Sequence, residues 1–359
     1  MDIKNLVLEL CNCVCIGSIT EAFDIAEKYL KNFSEVSYGN GYLRADIIKN
    51  KNNRGKGCES NYKNNHENNL ESKANTDETI MLEAHIDEVG MVITKVFDDG
   101  FLLASPVGSL DGRILPSMPV KIFGKETVYG VFTSIPPHLT NEDACPGFDN
   151  CFIDTGDPDI KEKVCEGDFA VFDINAKTLL NDRITGRALD NRAGVAAVIS
   201  AAEKIAADEK IKKNITVMLT TGEELGLRGA RTAAFSADAV QSISVDVSFA
   251  DCPGIPEHKT AKLSSGAMIG ISPVLDKEIY QKLKTTAAKW DIPFTVEVMG
   301  GNTSTNADVI SVSKSGIKTG LISIPLRNMH TPCEVVSCGD ISAVCELIYR
   351  YVTDGDQND

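Results

Sequence analysis

The chain has 359 residues, 43% of them hydrophobic, and a formal net charge of -15. Such a composition belongs to a globular protein with a sizeable core, and its acidity excludes the broad basic surface that nucleic acid would need. No apolar run approaches the roughly 20 residues of a membrane-spanning helix, so neither nucleic acid nor a membrane is expected as a partner.

The N-terminal stretch LVLELCNCVCIG is apolar, but Glu9 interrupts it and only Lys4 precedes it, which does not read as a signal peptide. Cys11, Cys13 and Cys15 form a C-x-C-x-C run at what reads as a helix start. Three side chains there point in different directions, so small buried hydrophobes are expected rather than a soft-metal site. The eleven cysteines are odd in number and scattered, which is no disulfide framework; reducing cytoplasm is the expected compartment. Residues 20–32 carry helical periodicity. A polar Asn- and Lys-rich stretch from about Asn50 to Glu78, with His66 inside it, reads as a surface loop or insertion. TIMLEAHID then reads as a buried strand. From about Gly90 to Lys177, short apolar runs (GMVITKV, FLLASPV, PVKIFG, YGVFTSI, FAVFDI) alternate with Gly, Pro and Asp turns, the pattern of a small all-β unit. From Gly186 onward helices and strands alternate. AGVAAVISAAEKIAA, LDKEIYQKLKTTAAKW, ADVISVSKSG and ISAVCELIYRYVT read as helices; NITVMLTT, SISVDVSF, FTVEVM and TGLISIP read as strands. Alternation of this kind predicts a parallel, doubly wound sheet. The expected fold class is α/β: a doubly wound mixed or parallel sheet domain (1–90 and 177–359) interrupted by a small β-rich, barrel-like domain (91–176).

Unusual polar residues sit where apolar strands end. His85 and Asp87 follow TIMLE, Glu223 and Glu224 follow ITVMLTT, Asp246 ends SISVDV, and His330 follows LISIP; Asp190 precedes the helix that begins in GRALDNR. In open α/β sheets the carboxyl ends of the strands form the ligand-binding edge. Taken singly, each residue has an ordinary reading as a loop histidine, an N-cap aspartate or a solvated acid. Those readings do not predict a shared placement. Imidazole and carboxylate donors suit Zn²⁺, Co²⁺ or Mn²⁺, and five ligands suffice for two ions about 3.5–4 Å apart if one carboxylate bridges. Adjacent Glu223 and Glu224 invite a division in which one binds metal and the other handles protons.

EAHIDEVG, GRALDNR, TGEELGLRGA, SVDV followed by DCPG, and IPLRNMHTPCEVV occur in this order and together resemble the tetrahedral (TET-type) aminopeptidase family. RILPSMPVKIFGK, GVFTSIPPHL and FIDTGDP resemble that family's dimerisation domain. The resemblance implies a two-metal aminopeptidase acting on short peptides, and assembly of dimers into a hollow homododecamer. It implies that His85 and Asp246 hold one metal, Glu224 and His330 the other, and that Asp190 bridges. Glu223 would be the general base and acid, and Asp87 would orient His85 from behind. The cofactors implied are two divalent ions per subunit, Zn, Co or Mn, which activate water, with the substrate's α-amine read by the carboxylates of the site.

Asn328 and Asn306 stand where the family often has tyrosine and aspartate, and a changed substrate pocket is expected from both. Lys262, Arg327 and Lys318 lie near motif segments, with surface charge as their plainer reading, and His138 reads as a loop residue that a neighbouring subunit could meet. Three other functions stay open at this stage: another two-metal exopeptidase or deacylase such as a carboxypeptidase, a glycoside hydrolase, which would use two carboxylates without metal, and a non-catalytic assembly protein on the same scaffold.

Overall fold

The computed structural model describes residues 1–48, 79–139 and 147–354. The polar stretch Asn50–Glu78, with His66, lies outside them. The chain opens with helix α1 (Ile3–Cys11), strands β1 (Cys15–Ile16) and β2 (Ile19–Thr20), and helix α2 (Glu21–Leu30). Asp2 caps α1 by accepting from Asn5 N at 3.2 Å. The C-x-C-x-C run therefore straddles the end of a helix, not its start. Cys11 and Cys15 are fully buried among apolar neighbours, and burial pushes both thiols up to about 12, so they stay protonated and poor as ligands.

A hairpin follows, β3 (Glu35–Gly39) and β4 (Tyr42–Ile47), then β5 (Thr79–His85). Next come six strands that close into a barrel: β6 (Gly90–Val96), β7 (Phe101–Val107), β8 (Pro119–Phe123), β9 (Thr127–Phe132), β10 (Ile153–Asp154) and β11 (Phe169–Phe172). Alternating residues such as Met91, Ile93, Val120, Ile122, Phe132 and Ile153 fill its interior as a core of its own. His138 is exposed in a short turn beyond β9.

The rest of the chain builds the α/β unit. In order it comprises β12 (Lys177–Leu179), β13 (Arg183–Gly186), α3 (Leu189–Ala207), β14 (Asn214–Thr220), α4 (Arg228–Ser236) and β15 (Ala239–Phe249). Then come β16 (Ala267–Ile271), α5 (Lys277–Lys289), β17 (Phe294–Val298), α6 (Ala307–Ile310), β18 (Lys318–Arg327), β19 (Glu334–Ser337) and α7 (Cys338–Thr353). The large sheet runs β12-β13-β19-β18-β15-β5-β14-β4-β3, with β16 and β17 branching from β18. Its centre, β18-β15-β5-β14, is parallel, while β4, β3, β19, β13 and β12 add on antiparallel. The fold is thus the expected α/β class, with a mixed rather than wholly parallel sheet. Helix α3 is apolar on almost every side and packs against the sheet and α7, as a central helix must. The helix expected over ADVISVSKSG shrinks to the single turn α6, because Lys314 and Gly316 adopt positive φ in a turn. No described helix is long and apolar enough to cross a membrane.

One buried ion cluster ties the N-terminus to the sheet edge. Glu88 accepts from Arg187, from Arg192 Nη2 at 3.3 Å and from Cys15 N at 3.1 Å. Arg187 also donates to Cys13 O and Arg192 to Leu10 O. Both arginines of GRALDNR are therefore structural. Glu88→Ala would leave two guanidinium groups buried without their counter-ion, and about 3–5 kcal/mol of stability should be lost. Urea unfolding of the variant checks this; a change below 1 kcal/mol would show that the cluster is dispensable.

Candidate metal centre

Parallel strands put their carboxyl ends on one edge, and the central four do so side by side. His85 is the last residue of β5, directly opposite Thr220, the last of β14. Asp246 in β15 lies opposite Ser323 in β18. Three residues after Thr220 comes Glu223, and three after Arg327 comes His330. Helix α3 starts above this edge, where Ala188 takes the left-handed conformation and Asp190 has non-helical dihedrals. Asp190 thus points into the cleft instead of capping the helix. Its neighbour Asn191 does the local anchoring, donating to Val245 O at 2.7 Å and accepting from Gly194 N at 3.0 Å.

The resulting geometry is two half-sites that share one acid. His85 Nε2 lies 3.1 Å from Asp190 Oδ1 and 3.5 Å from Asp246 Oδ1. His330 Nε2 lies 3.3 Å from Asp190 Oδ2 and 3.3 Å from Glu224 Oε1. Each imidazole faces two carboxylates, and the two oxygens of Asp190 serve one imidazole each. His330 Nδ1 sits 3.1 Å from Ser109 O. A carbonyl only accepts, so Nδ1 carries the proton and Nε2 is the nitrogen free to ligate. Asp87 stands behind His85 with Oδ1 3.5 Å from Nδ1, and its carboxylate also receives the backbone N–H groups of Glu223 (3.3 Å) and Glu224 (3.4 Å). All seven residues singled out in the sequence therefore meet in one place.

The electrostatics suit cations. Burial works against charge on His85, yet Asp190, Asp246 and Asp87 together raise its pKa well above the ordinary value. His330 is likewise lifted to about 11, the effect of its partial burial outweighed by Asp190 and Glu224. Burial pushes Glu223 up to about 9, reinforced by Asp246, Glu224 and Asp190 and opposed by His85. Burial also raises Glu224 and Asp246. Asp190 goes the other way: burial is outweighed by the two imidazoles, which hold it well below the carboxylate range. Four acids crowded around two histidines, with no Lys or Arg among the described residues lining the cleft, demand positive charge between them. His85, Asp190 and Glu224 place one donor atom each within 4.8 Å of one another. Nitrogen and oxygen donors in this proportion fit divalent transition ions.

Three further acids support the set, Glu83 and Glu334 buried and Glu297 half-buried, and none was singled out in the sequence. Glu334 accepts from the backbone N–H of Asp190 at 3.1 Å and of His330 at 2.9 Å, so one carboxylate positions a residue of each half-site. His330 needs that hold, because its φ of +59° is costly for a residue with a Cβ. Glu83 accepts from Thr220 (2.8 Å), Ser244 (2.6 Å) and Asn306 (2.7 Å), which locks β5, β14 and β15 together just below the edge. Glu297 is the third and lines the cleft. A carboxylate inside an otherwise apolar strand, as in TIMLEAH, is the one available sequence signal, since a buried acid must have partners.

The cleft holds about 720 Å³ and is lined by His85, Asp190, Glu223, Glu224, Asp246 and His330 together with β15, β17 and the loop after β17. Asn306 and Asn328 are absent from its lining, which corrects the expectation that they alter the pocket. Asn306 is buried and donates to Glu83, where an aspartate would oppose a second acid; Asn328 closes an exposed turn by donating to Cys333 O. Lys318 pairs with Glu278 and Arg327 with Asp251, and neither reaches the cleft, nor does Lys262.

The model of the family described as M42 glutamyl aminopeptidase matches residues 68–347. A lysyl aminopeptidase of Pyrococcus furiosus is 30% identical over 278 residues, which cover 75% of this chain and 79% of the relative. Among solved structures, an aminopeptidase from the archaeon Desulfurococcus kamchatkensis superposes with a TM-score of 0.85 at 26% identity, covering 98% of this chain and 94% of the other. A TET1 peptidase of Pyrococcus horikoshii, described as assembling into a tetrahedron or a large octahedral shell, superposes with a TM-score of 0.80 at 24% identity over 98% and 99% of the two chains; this last likeness bears on the fold.

Proposed function

The chain belongs to the M42 glutamyl aminopeptidase family, and we propose that it removes N-terminal residues from short peptides at a pair of divalent cations, with Glu223 carrying the proton. The observation that supports this is the shared Asp190, with one imidazole and one further acid on each side of it. His85 and Asp246 would hold one ion, His330 and Glu224 the other, and Asp190 both. Divalent cations in such a site lower the pKa of a coordinated water to about 7 and polarise the scissile carbonyl.

The protein's own groups do the rest. Glu223 lines the cleft near His85, Asp190, Glu224 and Asp246, where it takes a proton from the attacking water and gives it to the departing amine. Asp87 receives the backbone N–H of Glu223 and stands 3.5 Å behind Nδ1 of His85, so one carboxylate lies against both base and ligand. The crowded carboxylates of the cleft suit the α-amine of a peptide, which favours an exopeptidase.

The direct test is metal removal. Chelation should abolish hydrolysis of aminoacyl-anilides, and restoring Zn²⁺, Co²⁺ or Mn²⁺ in turn should bring it back. Peptides with a blocked N-terminus should resist cleavage. Activity that survives exhaustive chelation would rule the metal reading out and reopen a carboxylate-only hydrolase.

The barrel is proposed as a dimerisation domain within a larger homo-oligomer. Tyr129, Val131, Ile135 and Leu139 are large apolar residues on its outside, from 42% to 71% exposed, and a patch of that kind marks an interface. Light scattering should find an assembly for the unchanged protein and a smaller species for Ile135→Asp. A monomer in both would end this assignment.

A further inference from the structure

Among the described residues lining the cleft, Glu297 is the one acid that the proposed chemistry does not use. It sits in β17, which pairs with β16, and β16 lies against β18. Its carboxylate is held by two hydroxyl groups: Ser248 donates to Oε1, and Ser323 donates to Oε2 at 2.9 Å. Both serines belong to the same sheet edge as the metal centre. Ser248 follows Asp246 by two residues and so shares its face of β15, and Ser323 is the direct cross-strand neighbour of Asp246. Glu297 is therefore fixed beside the proposed ligand set, with acceptor capacity left over, since a carboxylate has about four lone-pair sites and the serines use two.

Leu227, Phe249, Met299 and Met329 line the same cleft, interspersed with the polar Ser109 and residues 302–305. A carboxylate that shares a cleft with such apolar side chains, where the described lining residues include no Lys or Arg, has a definite complement. It is a long methylene stem that ends in a cation, because the stem packs on apolar side chains while the charged head meets the acid. An acidic substrate side chain would meet no Lys or Arg among them and would be repelled by Glu297.

Resting on the aminopeptidase reading, we infer that Glu297 is the specificity-determining residue for the first side chain of the substrate and that it selects peptides beginning with lysine or arginine. Ser248 and Ser323 are its positioning residues. The apolar residues of the lining make leucine and norleucine tolerated substrates and glutamate the poorest.

The experiment compares the metal-loaded full chain on lysyl-, norleucyl- and glutamyl-anilides. Norleucine keeps the stem of lysine and lacks the amine, so the Lys:norleucine ratio of kcat/KM reads the contact with Glu297 alone. A charge-assisted contact predicts a ratio of about 10–100 in the unchanged protein, and a ratio near one after Glu297→Gln, with Tm recording that the variant is folded. A ratio at or below one in the unchanged protein overturns the inference. So does an equal loss on lysyl and norleucyl substrates in the variant, which would assign Glu297 to the α-amine that both share. Hydrolysis of none of the anilides, with metals restored, would instead fail the aminopeptidase reading itself, and this inference with it.

Discussion

Glu223→Gln should lower kcat by about 10²–10⁴-fold, with Tm and bound metal close to those of the unchanged protein. Glutamine keeps the size and polarity of the side chain but can neither accept nor return the proton. The backbone N–H of Glu223 remains held by Asp87, and the side chain is not among the five donors assigned to the ions, so neither folding nor metal content should follow the loss of rate. The burial and neighbouring acids that push Glu223 up to about 9 are what a cation nearby would counter, bringing the group into the range where it both takes and releases a proton near neutrality. Steady-state kinetics with metal analysis of the same sample makes the test. Near-normal kcat in Glu223→Gln would remove this residue from its role; a parallel fall in metal content would make it a ligand instead.

Asp190→Ala should do more. Among the described residues it alone has an oxygen toward each imidazole, 3.1 Å from His85 and 3.3 Å from His330. In the proposed site its loss would strip both half-sites at once, and the charge stabilisation that two ions would supply is worth several kcal/mol, so kcat/KM should fall by at least about 10³-fold. The metal stoichiometry should fall with it. Asp246→Ala touches only the half-site of His85 and is expected to release one ion preferentially. Two ions retained in Asp190→Ala, with activity to match, would show that this carboxylate bridges nothing.

Much of the architecture was legible because hydrophobic periodicity is local. Strands β5, β14, β15 and β18 stand out as short continuous apolar runs and α3 as a longer one, while α2, α5 and α7 carry helical periodicity. The hairpin β3–β4 was passed over although its Asn40–Gly41 turn, with Gly41 at φ +80°, is a two-residue hairpin signal. Strands β12 and β13 form a local hairpin too short to carry a pattern, while β16 and β19 are short and take hydrogen bonds from strands elsewhere in the sheet, so periodicity did not announce them. The candidate ligands stood out because a His, Asp or Glu just after an apolar strand is conspicuous. Glu83, Glu88, Glu297 and Glu334 did not stand out, because their partners are supplied by other elements and an acid in a strand looks like one on its solvent face.

By itself the sequence displayed the candidate residues, two histidines and five acids at the ends of apolar strands or the start of a helix, and the family motifs whose resemblance implied how they would be grouped. The tertiary structure supplied the distances, with one oxygen of Asp190 toward each imidazole, and added Glu334 and Glu297 beside them. The reason is that a strand's neighbours and register are set by long-range pairing. Thr220 opposite His85 and Ser323 opposite Asp246 are contacts across more than 70 residues, and no local window of sequence contains them.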